Sequence, residues 1–277
     1  MDSAGLRELL TFYADAGVDE PLLDEAADRF EETRIEAEKR AARREPVRQK
    51  TVVPPQSRPA VPKAAVPDDA QAARARELAG SADSLEALRE LLSGFDGCNL
   101  KTTAKNTVFA DGNPQASVMF VGEAPGRDED LQGLPFVGRS GKLLDRMLAS
   151  IGLDRTSAYI SNVIPWRPPG NRDPSPLETE ICRPFIERHI ELVAPKVLVT
   201  LGNPSTKLLL NTQTGIMRMR GNWAAHKTPS GRAIPTMPTL HPAYLLRNPA
   251  HKKLAWNDFL AIRLKLDEAG GSGAPVS

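Results

Sequence analysis

Apolar and polar residues change their spacing along this chain, and the changes mark its parts. From Leu6 to about Arg44, apolar residues recur among Glu, Asp, Lys and Arg in a pattern that predicts one or two amphipathic helices over residues 1–44, with Pro21 near the start of the second. Residues 45–69 carry Pro46, Pro54, Pro55, Pro59, Pro62 and Pro67 with few large apolar side chains, the composition of an extended, disordered linker. A compact domain is expected over residues 70–268, with a flexible tail over 269–277. Within the domain, leucines at helical spacing follow Ser84, so that serine is expected to cap a helix reaching Ser93. Four apolar runs of strand length follow, Val118 to Val121, Ala158 to Val163, Val197 to Leu201 and Ala233 to Leu240. They alternate with helical patterns over Lys142 to Ile151, Pro176 to Val193 and Pro204 to Leu210. That alternation predicts an α/β fold with a mainly parallel sheet covered by helices on both faces.

Each predicted strand ends on residues of a different character: Gly122-Glu123, Asn162 to Arg167, Gly202-Asn203, and His241 to Tyr244. In a parallel sheet such loops lie at one edge and can converge on a single crevice. The first loop is the richest. Glycines at 122 and 126 let the backbone approach a ligand closely, while Glu123, Asp128, Glu129 and Asp130 place carboxylates at the end of a buried strand.

Composition narrows the class. The 277 residues, 40% apolar and 26% charged, suffice for one substantial core and an extension. No apolar stretch approaches the roughly 18 residues of a membrane span, and the N-terminus is acidic rather than signal-like, so a cytoplasmic protein is expected. Two cysteines far apart, Cys98 and Cys182, argue against a disulfide scaffold and for buried thiols. A formal net charge of +1 means that any nucleic-acid surface is a local patch. The basic run from Arg34 to Lys50 lacks interleaved aromatics and reads as a solvated helix face and linker in preference to a nucleic-acid-binding arm. Gly138-Arg-Ser-Gly-Lys142 imitates the end of a phosphate-binding P-loop, but Phe136 and Leu143 stand where that motif requires Gly and Ser or Thr, which argues against an NTPase.

The loop sequences Gly122-Glu-Ala-Pro-Gly126, Pro135-Phe-Val-Gly-Arg-Ser-Gly-Lys-Leu-Leu-Asp145, Asn162, Arg167-Pro-Pro-Gly-Asn-Arg172 and His241-Pro-Ala-Tyr-Leu-Leu-Arg247 together resemble the type-4 uracil-DNA glycosylases. The resemblance covers about Phe95 to Phe259 in the family's motif order. It implies a three-layer fold with a small central parallel sheet. It also implies hydrolysis of the N-glycosidic bond of deoxyuridine in single- or double-stranded DNA, leaving an abasic site without a lyase step. A monomer is expected, and residues 1–69 are a place where a repair partner would bind.

A base inside a duplex cannot be reached, so such an enzyme flips the nucleotide out and reads its edge in a pocket. By resemblance, Gly122, Phe136 and Asn162 bind uracil, Phe136 by stacking and Asn162 by hydrogen bonds to the base edge. An amide suits uracil because it donates to O4 and accepts from N3, whereas cytosine has the opposite polarity at both positions. His241 is expected to stabilise negative charge on uracil O2, and Glu123 to position or activate water, with Glu129 and Asp130 as helpers. Tyr244, Leu245, Leu246, Arg247 and Lys252 are the expected DNA contacts, with Leu245 or Leu246 as an apolar wedge that fills the gap left by the flipped nucleotide. Lys253, Arg218, Arg220 and Arg232 are further phosphate candidates. His189 and His251 read as structural, and His226 has no assigned place.

The type-4 pattern also implies a 4Fe-4S cluster on four cysteines. Here the four positions hold Phe95, Cys98, Trp166 and Cys182, so no cofactor or metal is expected, and Phe95 and Trp166 are expected to pack in its place. Two other readings are a covalent uracil-DNA binder and a non-catalytic DNA-binding module. The loop from Gly126 to Gly138 has no histidine to form a covalent link, and Glu123, Asn162 and His241 are all present, which disfavours both.

Overall fold

The computed structural model describes residues 69–270. The helices expected over 1–44, nearly all of the linker and most of the tail lie outside the described residues. Four strands form the centre of the sheet: β2 (Val118–Gly122), β3 (Tyr159–Asn162), β4 (Val197–Leu201) and β6 (Ala233–Thr239). Two short strands, β1 (Ala110–Gly112) and β5 (Ala224–Lys227), close its edges in the order β1-β3-β2-β4-β6-β5. The four central strands are mutually parallel and both edge strands are antiparallel. This is the expected α/β sheet, enlarged by the edge strands, which are too short and too polar to stand out as apolar runs.

Every residue of β2 and β4 is buried, because a parallel sheet has helices on both faces. Strand alternation divides β2 between two cores. Met119 and Val121 join Leu88, Leu92, Tyr159, Ile181, Phe185 and Ile190 beneath α1 (Asp69–Ser81), α2 (Leu85–Gly94) and α6 (Pro176–Val193). Val118 and Phe120 join Leu144, Leu148, Ile160, Val199, Phe259 and Ile262 beneath α5 (Arg139–Ala149) and α10 (Lys252–Gly270). Ser84 caps α2 by accepting from the Ala87 amide at 3.1 Å, as expected. Ser175 caps α6 reciprocally with Glu178.

The remaining helices are short: α3 (Leu100–Thr103), α4 (Arg127–Gln132), α7 (Asn203–Leu209), α8 (Ile216–Met219) and α9 (Pro242–Arg247). Among the described residues the first helix begins at Asp69 and the last ends at Gly270. Helix α10 is tied to β6 by a buried charge: Asp258 pairs with Arg220 and accepts from Thr239 Oγ1 at 2.7 Å. None of the described helices is long and apolar enough to cross a membrane.

Candidate active site

Sheet register assembles the site. In the β2–β3 pair, Gly122 lies opposite Asn162, so the loops leaving both strands start side by side. The following amides continue the ladder, with Val163 N–H donating to Gly122 O at 3.0 Å and Ile164 N–H to Glu123 O at 2.9 Å. The chain after β4 turns at Gly202, whose φ of 91° favours glycine and where an added Cβ would lie 3.0 Å from the His241 Cβ. Together these loops enclose an open cavity of about 540 Å³ lined by Glu123, Phe136, Asn162, Asp173, His241 and Arg247 among others. All four strand ends therefore contribute to one crevice, through Glu123, Asn162, Gly202-Asn203 and His241 to Tyr244, whereas Val163, Ile164 and Trp166 turn into the core.

Three polar side chains in the cavity are set by their surroundings. Asn162 is 5% exposed, and its Oδ1 has no hydrogen-bond partner among the described residues, which leaves an acceptor facing the cavity. His241 caps α9, its Nδ1 accepting from the Ala243 amide at 3.1 Å. Burial, helped by the charge of Arg247, pulls the pKa of His241 down to about 4. A neutral ring with Nδ1 as acceptor carries its proton on Nε2, so His241 offers a neutral N–H donor. Burial, reinforced by the charge of Asp173, pushes the Glu123 carboxyl up to about 7, within the range of a general base. Phe136 supplies the apolar wall, with its ring centroid 5.6 Å from that of His241. Gly122 makes room for both: a Cβ there would strike the Phe136 ring and Asn162 Oδ1.

Several expected residues take other work. Glu129 lines the cavity, but its buried carboxylate is committed to backbone groups, accepting from the amides of Gly126, Val137 and Gly138 at 3.1, 3.0 and 2.9 Å. Asp130 accepts from the amides of Lys105 and Asn106 instead of meeting water in the cavity. Leu245 is 1% exposed within the cluster of Leu240 and Ala255, so it is not available as a wedge, whereas Leu246 is 36% exposed. Arg220 is consumed by Asp258 and the Leu254 carbonyl, which removes it as a free phosphate contact, whereas Arg232 stays exposed with one bond to the Ala194 carbonyl and does not line the cavity. Arg247 at the cavity mouth, with Lys252, Lys253 and Arg218, is exposed. Tyr244 lines the cavity, and its hydroxyl meets His251 Nδ1 at 2.7 Å. His189 is buried against the Tyr159 hydroxyl, and His226 is buried with Nδ1 against the Leu209 carbonyl, so neither reaches the cavity.

Sequence reasoning missed three residues. Asp173 follows directly on the Arg167–Arg172 stretch, and that position was its only signal. Gly202 was noted at a strand end but not for its backbone. Arg155 holds the Phe136 backbone from outside the motifs, and nothing in the sequence marks it.

Phe95, Cys98, Trp166 and Cys182 all lie in one buried core. Phe95 packs on Phe185 with centroids 5.3 Å apart, and Trp166 Nε1 donates to Thr107 Oγ1 at 3.0 Å. The neighbouring Cys182 lowers the pKa of Cys98, while Cys98 and burial raise that of Cys182. Two sulfurs beside a phenyl and an indole do not fit an iron-sulfur cluster, which needs four ligands. Among the described residues no group of three or more His, Cys, Asp or Glu could hold a metal ion.

In chemical terms, the cavity can seat a planar heterocycle against Phe136, read its edge with an amide, meet an anion with an N–H donor and accept a proton at a carboxylate. Residues 109–260 match the family model described as the Uracil DNA glycosylase superfamily. Over 186 residues the chain is 42% identical to the type-4 uracil-DNA glycosylase of Sulfurisphaera tokodaii, covering 65% of this chain and 84% of that protein. It is 42% identical over 179 residues to the enzyme of the same name from Archaeoglobus fulgidus, covering 63% and 89%. To the Thermotoga maritima type-4 uracil-DNA glycosylase it is 38% identical over 168 residues, covering 59% and 84%.

Proposed function

Because the chain belongs to the uracil DNA glycosylase superfamily, we infer that it excises uracil from DNA by hydrolysing the N-glycosidic bond. The observation that carries the mechanism is the unpartnered Oδ1 of Asn162, buried at the edge of a cavity that also holds Phe136, His241 and Glu123. A buried acceptor without a donor is costly until a ligand supplies one. The N3–H of uracil does so, while the amide nitrogen donates to O4. Cytosine, with an acceptor at N3 and a donor at C4, leaves both groups opposed.

The nucleotide enters by rotating out of the stack, at a cost of a few kcal/mol. Leu246 fills the space it leaves, and Arg247, Lys252 and Arg218 hold the flanking phosphates. The C1′–N1 bond breaks with its electron pair moving onto the base, so the sugar gains oxocarbenium character and the base becomes an anion. His241 meets that anion at O2 through Nε2–H, and the bond strengthens as the charge develops. Ionised Glu123 balances the cationic sugar, takes a proton from the attacking water and leaves the water oxygen bound to C1′. The uracil anion gains a proton at N1 as Glu123 returns its own to solvent, giving an abasic site and free uracil with no lyase step. No step needs iron, and apolar packing of Phe95 and Trp166 stands at two of the positions to which the type-4 resemblance assigns cluster ligands. The cavity engages one nucleotide, so a monomer suffices.

The test is single-turnover release of uracil by His241→Ala against the unmodified chain. A loss of about 10² to 10³ in rate is expected, the usual cost of removing one preorganised donor from a developing oxyanion. An unchanged rate would remove His241 from the mechanism.

A further inference from the structure

Phe136 has a φ of 55°, a left-handed backbone conformation that a bulky residue rarely adopts and that persists only when its surroundings impose it. Three side-chain features impose it here. Arg155 Nη1 donates to the Pro135 carbonyl at 3.1 Å and Arg155 Nη2 donates to the Phe136 carbonyl. From the other side, Glu129 Oε1 accepts from the Val137 and Gly138 amides at 3.0 and 2.9 Å. Both peptide planes that flank Phe136 are thus pinned, one through its carbonyl and the other through both its carbonyl and its N–H. Gly141 completes the seat: a Cβ there would collide with the Phe136 carbonyl, so only glycine lets that carbonyl lie against α5. The guanidinium itself is anchored, Nε to Asp145 of α5 at 2.9 Å and Nη1 to Asp111 of β1 at 2.5 Å. These ion pairs are partly exposed and contribute little stability on their own. Arg155 does not line the cavity.

We propose that Arg155 is a positioning residue for base recognition, fixing the two peptide planes around Phe136 so that its ring presents a ready stacking face before DNA arrives. The proposal rests on the reading that Phe136 stacks on the flipped uracil. It accounts for Asp145 at the end of the Phe136–Asp145 stretch, where that carboxylate does not line the cavity and serves only to aim the arginine. The planar fork matters: two donors in fixed geometry span two successive carbonyls, which a lysine ammonium on a flexible stem does not reproduce.

A double-mutant cycle tests this by single-turnover uracil release from a single-uracil oligonucleotide, using Arg155→Lys, Phe136→Leu and the pair. Arg155→Lys keeps the charge beside Asp111 and Asp145. It is expected to slow release roughly 10- to 100-fold, the scale of a small misplacement at a reacting centre. Affinity for uracil-free DNA is expected to stay unchanged, and in the Phe136→Leu background Arg155→Lys is expected to cost nothing further. Equal losses in both backgrounds, or no loss from Arg155→Lys, would overturn the proposal while leaving stacking intact. Full activity of Phe136→Leu would instead overturn the stacking reading, and the proposal with it. If Arg155→Lys does not fold, Asp145→Asn removes one anchor from a half-exposed site and must show the same non-additivity.

Discussion

Glu123 and His241 share a cavity whose burial acts on them in opposite directions, raising the carboxyl to about 7 and lowering the imidazole to about 4. Glu123 works as the ionised base, and that form is populated above its pKa. Log kcat/KM is therefore expected to climb as pH rises through about 7 and to level off beyond it. His241 works as a neutral donor and is already neutral above about 4, so it adds no second limb between the two values. A pH profile of Glu123→Gln checks the assignment: the limb disappears with much of the rate, and a limb left in place would assign it to another group. Neighbouring residues can also have opposite fates. Leu245 and Leu246 are indistinguishable by type, yet one step along a helix rotates a side chain by about 100°, burying the first and exposing the second. Leu245→Ala is expected to cost about 2–5 kcal/mol in denaturant unfolding, as a core truncation does. Leu246→Ala is expected to keep native stability and to slow release from double-stranded DNA more than from single strands, since a single strand has no stack to fill. Equal slowing on both substrates would argue against a wedge.

Among the elements, β2 and β4 were legible because strands covered on both faces are apolar along their length, and the ends of all four central strands could be named within a residue or two. Strands β1 and β5 were not, since three or four half-exposed residues carry no period. Helix α10 also escaped notice: Trp256, Leu260 and Leu264 lie exposed on one side while Ala255, Phe259 and Ile262 are buried on another, which blurs its amphipathic pattern. The site was legible as loops and invisible as supports. Glu123, Phe136, Asn162 and His241 stand at strand ends or within a motif, whereas the role of Glu129 and of Arg155 depends on backbone groups that no side-chain pattern reports. Gly141 brings this to a measurable point. Glycine inside a helix usually costs about 1 kcal/mol relative to alanine, so Gly141→Ala at an ordinary position would stabilise α5. Here the added methyl meets the Phe136 carbonyl, and Gly141→Ala is expected to lower both Tm and the rate of uracil release. A raised Tm with full activity would show that the loop relaxes freely and that the Phe136 seat is not built as described.

At the scale of the whole molecule, Phe95 and Trp166 are fully buried in the core that also takes Cys98 and Cys182, so apolar side chains fill two of the four positions that the type-4 resemblance assigns to cluster ligands. Purified protein is expected to show no iron-sulfur absorbance, and chelator is expected to leave Tm and activity unchanged; a visible band with stoichiometric iron would contradict this. The small net charge, with Arg247 exposed at the cavity and Lys252, Lys253 and Arg218 exposed elsewhere, is expected to make DNA binding local and salt-sensitive. The account stands or falls on catalysis, and the most direct test is the amount of free uracil released from an excess of single-uracil oligonucleotide. Release of many equivalents per protein molecule, leaving abasic DNA, is the predicted result. Release that stops at one equivalent, or tight binding with none, would contradict it.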